Sequence, residues 1–131
     1  MRWRICVVFL MGASIAAGCT KGKSTDLLIG DLNSKDEGDR VKAVRLLPQR
    51  KGDAVKVVPA LIDSLSDKDV RVRISAAIGL GNFGAQAKTA LPDLEKAQSD
   101  QDARVREAAR VAISRIGPLD KREEKENASK S

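Results

Sequence analysis

The side chains that enzymes use most often for chemistry are scarce in this 131-residue sequence. Histidine is absent, and no serine is paired in sequence with an obvious general base. Carboxylates are plentiful, but they stand at predicted helix starts and on polar faces, where little would perturb their pKa values. The sequence therefore predicts no enzyme activity, no metal, no cofactor and no small-molecule substrate.

Both cysteines, Cys6 and Cys19, lie near the N-terminus, so no disulfide can hold the rest of the chain together. A positively charged start precedes the apolar run Ile5 to Ile15, which is shorter than the roughly 20 residues of a membrane-spanning helix. These features predict a cleaved export signal over residues 1–18. Its removal takes Arg2 and Arg4 with it, so the formal charge of +6 falls by two.

The segment Ala16-Ala17-Gly18-Cys19 resembles the signal of bacterial lipoproteins. In that family the cysteine becomes the first residue and carries acyl chains such as palmitate, each buried methylene contributing about 0.8 kcal/mol to membrane binding. The resemblance implies lipidation at Cys19 and, in a Gram-negative cell, the periplasmic side of the outer membrane. Residues 19–25 would be a flexible tether. The alternative is an ordinary secretion signal with an incidental cysteine.

Two short patterns invite a ligand-binding interpretation. Gly18 to Ser24 looks like a phosphate-binding loop, but it is one residue too short between its glycines. The pairs Asp67-x-Asp69 and Asp100-x-Asp102 could suggest calcium, but these loops do not offer the roughly six to eight oxygens that calcium needs. Helix capping is the interpretation we favour for these aspartates.

The body of the chain repeats every 33 residues without a gap. Each unit holds two helix-length segments, so the sequence predicts an all-α solenoid of three helix pairs, with units at about 26–58, 59–91 and 92–118. Residues 119–131 carry many charges and almost nothing apolar, which predicts a disordered tail. The aligned sets include Leu28, Leu61 and Leu94; Asp36, Asp69 and Asp102; Arg40, Arg73 and Arg106; and Ala43, Ala76 and Ala109.

Six helices are predicted, over 26–33, 36–47, 54–65, 69–83, 87–98 and 102–116. Asp69 and Asp102 are placed to cap the N-termini of two of them by accepting hydrogen bonds from free amides. Pro48 and Gly117 are placed to end two others.

The stretch Asp69 to Gly81, followed by Ala87 and by Leu91-Pro92, resembles a HEAT repeat of the short type found in phycobilisome lyase proteins. The resemblance covers about Asp26 to Pro118 and implies stacked helix pairs. It does not carry the bilin-attaching activity over, because this chain is far shorter and begins like an exported protein. In the HEAT family, aspartate–arginine pairs between units are structural. We therefore expect a ladder of Arg40, Arg73 and Arg106 with Asp36, Asp69 and Asp102.

The outer sides of the terminal units are more polar than the middle unit. Solenoids need such polar ends for solubility, so three units would form the complete array. The alternative is that these charges meet a partner protein that extends the stack. The polar replacements are Glu95, Gln98, Glu107 and Arg110 in the third unit and Asp39 and Arg50 in the first.

In HEAT solenoids the second helix of each pair lines the concave side, which here would carry a strip of cations with two apolar residues near its centre. The sequence predicts that this strip is free of acids and binds an acidic protein partner or an anionic polymer of the envelope. The alternative is an ordinary solvated face. The predicted partner-binding residues are Lys42, Arg45, Arg71, Ile78, Arg104, Val111 and Arg115.

The function predicted from these features is a membrane-anchored interaction scaffold of the bacterial envelope. The alternative is a cytoplasmic HEAT-repeat protein that binds nucleic acid or serves as an accessory subunit of an enzyme complex. Nucleic acid is disfavoured because Phe83 is the one aromatic residue beyond the signal, which leaves no platform for base stacking.

Overall fold

A computed structural model describes residues 22–117, and within this range all regular elements are helical. The predicted all-α solenoid of three helix pairs is confirmed. The predicted export signal, Cys19 and the tail at 119–131 lie outside the described residues. Residues 22–117 form six α-helices: α1 Thr25–Asp31, α2 Glu37–Leu46, α3 Ala54–Ser64, α4 Val70–Phe83, α5 Leu91–Ala97 and α6 Ala103–Ile116. Short 3-10 turns cover Leu47–Gln49, Lys51–Asp53 and Gly84–Ala90.

Helix α4 is the centre of the fold, because it packs against α3 in its own unit and against α2 and α6 in the neighbouring units. Its residues Val72, Ala76 and Leu80 are fully buried. The core continues through buried leucines, valines and alanines of the other helices. None of the helices between residues 22 and 117 is long and apolar enough to cross a membrane.

Aspartates begin the second helix of each unit. The side chain of Asp69 accepts a hydrogen bond of 2.8 Å from the amide of Arg71, and Asp102 does the same with the amide of Arg104. These bonds satisfy donors that the first turn of a helix leaves free. The predicted N-caps at Asp69 and Asp102 are therefore confirmed.

Helix α5 is shorter than predicted. It begins at Leu91, not at 87, because the preceding Gly84–Ala90 segment forms 3-10 turns and Ala87 has non-helical dihedral angles. Pro92 consequently stands in the first turn, where its missing N–H leaves no helix hydrogen bond unmade. The two glycines that follow α4 and α6, Gly84 and Gly117, have φ angles of 54° and 88°, in the region that favours glycine.

The ladder between units exists, but its predicted aspartates are wrong. Arg40 binds Asp67 of the second unit, and Arg73 binds Asp100 of the third, each through two side-chain hydrogen bonds. The reason is geometric: the aspartates predicted for the ladder bind amides at helix starts, whereas the residue two positions earlier faces the preceding unit.

The carboxylates of Asp67 and Asp100 each make one further bond. They accept hydrogen bonds of 2.8 and 2.9 Å from the amides of Asp69 and Asp102, so each fixes the turn before the next helix as well as the arginine. Their oxygens are thus occupied by the protein itself. The third arginine of the set, Arg106, binds no aspartate side chain among residues 22–117 and donates to the backbone carbonyls of Asp100 and Gln101.

Two glycines in α4 set how closely the units approach. A Cβ atom on Gly79 would lie 2.7 Å from Cγ of Pro48, and a Cβ atom on Gly81 would lie 3.1 Å from the Cα atom of Ala112. Both distances are shorter than ordinary carbon–carbon contacts. The backbone of α4 therefore comes close to α6 at Gly81 because no side chain separates them.

Candidate functional site

Helices α2, α4 and α6 are the second helices of the three units, and α4 packs against both of the others. We call their exposed sides together the groove face. Two grooves run along it, one between α4 and α6 and one between α2 and α4. Ile74 and Ile78 of α4 line both grooves, so they form the boundary between them.

The groove between α4 and α6, which we call the apolar groove, has a volume of about 520 Å³. Ile78 is 48% exposed and Val111 is 38% exposed, although both are large apolar side chains. The two helices approach closely because the residues between them, Gly81 and Ala112, are small. The lining residues are Ile74, Ile78, Gly81, Ala103, Arg104, Glu107, Ala108, Val111, Ala112 and Arg115.

The groove between α2 and α4 has a similar volume, about 540 Å³, and a more even mixture of polar and apolar surface. Arg45 and Lys51 contribute cations, and Pro48 and Val44 contribute apolar surface. This groove is suited to a more polar segment than the apolar groove, because Arg45 and Lys51 lie beside the apolar surface of Val44 and Pro48.

Two of the predicted binding cations are engaged within the protein. Nη2 of Arg71 lies 2.7 Å from Asp69 and 2.8 Å from Glu37, and Nη2 of Arg104 lies 2.9 Å from Asp102. These hydrogen bonds from the arginines lower the pKa of Asp102 to about 2, and they also hold the pKa of Asp69 well below its usual range. The charges of Arg71 and Arg104 are therefore balanced before any partner arrives.

The other three cations are more available. Lys42 and Arg45 are exposed on α2 and form no ion pair within residues 22–117. Arg115 donates a hydrogen bond of 3.2 Å to the side-chain oxygen of Asn82, which is neutral and leaves the charge of the guanidinium uncompensated. Together with Lys51 in the groove between α2 and α4, these three residues supply the positive charge of the groove face.

The structure groups the predicted residues unevenly. Ile78, Arg104, Val111 and Arg115 meet in the apolar groove, whereas Arg45 lies in the neighbouring groove with Ile78. Lys42 and Arg71 line neither groove. The idea of an acid-free strip is corrected as well, because Glu107 lines the apolar groove and Glu37 contacts Arg71.

Sequence reasoning did not place Ile74 among the residues of the groove face, although Ile74 lines both grooves. The i, i+4 spacing of Ile74 and Ile78 could have shown that both lie on one side of α4. Glu107 was assigned to the polar end of the array. One helix residue can face both solvent and a groove, and helical periodicity alone does not separate the two.

Comparison with known proteins identifies the repeat. The sequence matches the family described as HEAT repeats over residues 25–114. No curated protein is significantly similar to the chain. Among solved structures, it is similar to the complex of CpcE and CpcF of phycocyanin lyase from Nostoc sp. PCC7120, with a TM-score of 0.66 and 29% identity. The match covers 72% of this chain but 37% of the other, so this chain spans well under half of its relative.

This likeness corrects one prediction. The sequence was interpreted as excluding an enzyme because it lacks histidine and an activated nucleophile, but the similar structure belongs to a lyase complex and therefore to an enzyme-related family. A count of reactive side chains does not show whether a chain is related to an enzyme complex. Membership of such a complex depends on a complementary surface, which a count of nucleophiles and bases does not record.

Proposed function

The chain belongs to the HEAT-repeat family, and we propose that it is a membrane-anchored interaction module whose protein partner binds the groove face. The observation that carries this proposal is the apolar groove, where Ile78 and Val111 are exposed beside Gly81 and Ala112. Apolar side chains in a groove rimmed by polar residues are typical of protein-binding surfaces.

The partner segment that fits best has an apolar anchor and acidic flanks. Ile78 and Val111 would bury the anchor, and the cations with uncompensated charge, Arg45 and Arg115, would attract acids on either side of Ile78. Exposed charges contribute more to the rate of association than to affinity, and salt screens them. Binding is therefore expected to weaken with salt but to persist through the apolar contact.

Crosslinking pull-down from membranes tests the groove. Ile78→Asp should reduce partner capture at least tenfold, because it places a charge in the apolar contact. Arg115→Glu should reduce capture less, and the loss should diminish at high salt. Arg71 and Arg104 are poor choices for charge reversal, since either change would set a glutamate beside a capping aspartate and weaken the helix start.

Val55→Asp is the matched control for the apolar substitution. Val55 is 90% exposed in the first turn of α3, away from both grooves, and an acid in a first turn is favourable. Its capture should equal that of the wild type. Wild-type capture by a folded Ile78→Asp variant would contradict the proposed site.

The membrane anchor is a separate part of the proposal and rests on sequence. Cys19 follows Ala16-Ala17-Gly18, as in lipoprotein signals, and the first helix within residues 22–117 begins at Thr25. A fatty-acid probe should label the wild type and not Cys19→Ala. Equal labelling of both would exclude lipidation at Cys19 and would leave the groove proposal standing.

A second candidate function is that of an accessory subunit in an enzyme complex. It is favoured by the 29% identity to a structure that contains two lyase proteins bound to each other. Under this alternative the captured partner would be an enzyme or a second repeat subunit, and its activity would fall when Ile78→Asp prevents binding. If that substitution left the activity of the partner unchanged, the scaffold function would be favoured over the accessory-subunit function.

A further inference from the structure

The arginine that follows each second-helix start has the same local geometry in all three units. One terminal nitrogen, Nη1, binds two backbone carbonyls of the preceding turn, at 2.9 and 3.4 Å for both Arg40 and Arg73. These bonds fix the plane of the guanidinium. Its other edge, Nε and Nη2, then faces the next unit.

In the first two units that edge holds a carboxylate. Nε and Nη2 of Arg40 lie 3.0 and 3.3 Å from the two oxygens of Asp67, and the same atoms of Arg73 lie 2.9 and 3.1 Å from those of Asp100. Paired parallel bonds of this kind are specific for planar carboxylates. The arginine side chains are 5% and 17% exposed.

Arg106 of the third unit is held in the same way, but its outer edge binds no carboxylate of residues 22–117. Nη1 of Arg106 binds the carbonyls of Asp100 and Gln101 at 2.7 and 3.1 Å, so the guanidinium is held as in the other units. Its Nε and Nη2 have no acceptor among residues 22–117, and the residue is exposed. The edge formed by Nε and Nη2 of Arg106, which we call the fork, is therefore oriented for a carboxylate that the described part of the chain does not supply.

An apolar position accompanies this fork. Ile113 lies two turns beyond Arg106 on the same side of α6, at the repeat position of Leu47 and Leu80. Those two leucines are completely buried, whereas Ile113 at the end of the array is only partly buried. The end of the array thus keeps both a carboxylate fork and part of an apolar contact.

We propose that the C-terminal edge of the array is a second docking site, where an aspartate or glutamate of a different protein binds Nε and Nη2 of Arg106 and an apolar neighbour packs on Ile113. The site lies outside the apolar groove, so it does not depend on the function proposed for the groove. Together the two sites would let one chain hold two partners or two segments of one partner.

A second copy of the chain does not fit this site. At the opposite edge of the array, Ser34 occupies the repeat position of Asp67 and Asp100. Its hydroxyl accepts from the amide of Asp36 at 3.2 Å and contacts Asp39, and it has neither the charge nor the second oxygen that the fork binds. Head-to-tail stacking of copies would leave Arg106 unpaired, which favours a different protein.

Photo-crosslinking of the full-length protein in membranes tests this site. A benzophenone amino acid at Gln101, an exposed residue next to the fork, should crosslink to another protein at a peptide that contains an aspartate or glutamate. Arg106→Gln should reduce the yield at least tenfold, and Arg106→Lys should give an intermediate yield because it keeps the charge and loses the paired bonds. Replacing the partner's acid with arginine should restore crosslinking to Arg106→Glu.

The matched control is Arg110→Gln, one turn further along α6. Arg110 is exposed and already paired with Glu107, so its loss should leave the yield unchanged. Circular dichroism checks that each variant is folded. Wild-type yield in Arg106→Gln, a crosslink confined to residues 118–131 of the same chain or to a second copy, or no crosslink to another protein would each overturn the proposal. Ile78→Asp should not alter this crosslink, which separates the result from a failure of the groove.

Discussion

Arg40 in the first unit and Asp67 in the second are joined by two hydrogen bonds of 3.0 and 3.3 Å, and both side chains are largely buried. Because Arg40 also binds the carbonyls of Ser34 and Lys35, a single guanidinium connects its own turn to the next unit. The spacing of the repeat is thus fixed by a polar contact as well as by apolar packing.

Substitution of the three equivalent arginines should give a graded loss of stability. Arg40→Gln leaves Asp67 buried without its cation and should cost about 3 kcal/mol or more, because breaking a buried pair is expensive. Arg73→Gln should cost somewhat less, since its side chain is more exposed. Arg106→Gln should cost under about 1 kcal/mol.

Thermal unfolding measures this series. For a domain of this size each kcal/mol corresponds to about 4–8 °C, so the Tm should fall by at least about 12 °C for Arg40→Gln and by a few degrees for Arg106→Gln. Equal losses at all three positions would show that the backbone contacts, not the carboxylates, carry the stabilisation.

Acid should destabilise the fold in a defined pH range. The pKa of Asp102 is about 2 in the folded chain, lowered chiefly by hydrogen bonds from Arg104, against about 3.9 in an unfolded chain. A carboxylate with a depressed pKa stabilises the fold above the unfolded value and loses this contribution as pH falls through the folded value. The contribution of Asp102 should thus disappear between about pH 4 and pH 2.

Asp102→Asn should therefore flatten the fall of Tm between pH 5 and pH 2, while it lowers Tm at pH 7. Asp63→Asn is the matched control with the same change in formal charge at an exposed position. Parallel pH curves for wild type and Asp102→Asn would contradict a role for this carboxylate in acid sensitivity.

Gly81→Ala should separate α4 from α6. The new Cβ would lie 3.1 Å from the Cα atom of Ala112 and 3.3 Å from its Cβ atom, so the helices must shift. The expected cost is about 1–3 kcal/mol, as for overpacked cores. Denaturant unfolding measures it, and the same variant should bind the groove partner more weakly because the groove floor moves.

Gly30→Ala provides the opposite case. Gly30 lies in α1, and a Cβ atom there would meet nothing within 4 Å. Alanine is favoured over glycine in a helix by about 1 kcal/mol, so this variant should be slightly more stable than the wild type. If both variants destabilised the protein equally, the close contact at Ala112 would not be the cause.

Binding at the groove face should respond to salt only in part. Between about 50 and 500 mM salt, screening weakens the attraction of Arg45 and Arg115 for an acidic partner but leaves the contact with Ile78. We expect slower association with little change in dissociation, measured by surface plasmon resonance with the captured partner. Complete loss of binding at high salt would show that the affinity comes from charge attraction and not from the apolar contact at Ile78.

The regular period of the sequence was enough to predict the fold. The gapless alignment of Leu28 with Leu61 and Leu94, together with capping aspartates at Asp69 and Asp102, gives three helix pairs because apolar periodicity and local hydrogen bonds are properties of neighbouring residues. Helix ends were less predictable. The start of α5 depended on the turns after Gly84, which propensity alone does not describe.

The pairing of charges is what only the tertiary structure decided. In sequence, Arg40 could have met Asp36 or Asp67, and Arg71 was counted as a free cation on a binding face. The carboxylate that each guanidinium reaches depends on the offset between stacked units. Asp67 faces Arg40 of the preceding unit, whereas Asp69, two residues later, binds the start of its own helix. The sequence by itself determined three stacked helix pairs and their caps. The pairs of Arg71 with Asp69 and Glu37, and of Arg104 with Asp102, decided which cations remain available for a partner. The absence of a following unit within the described chain left the fork at Arg106 open.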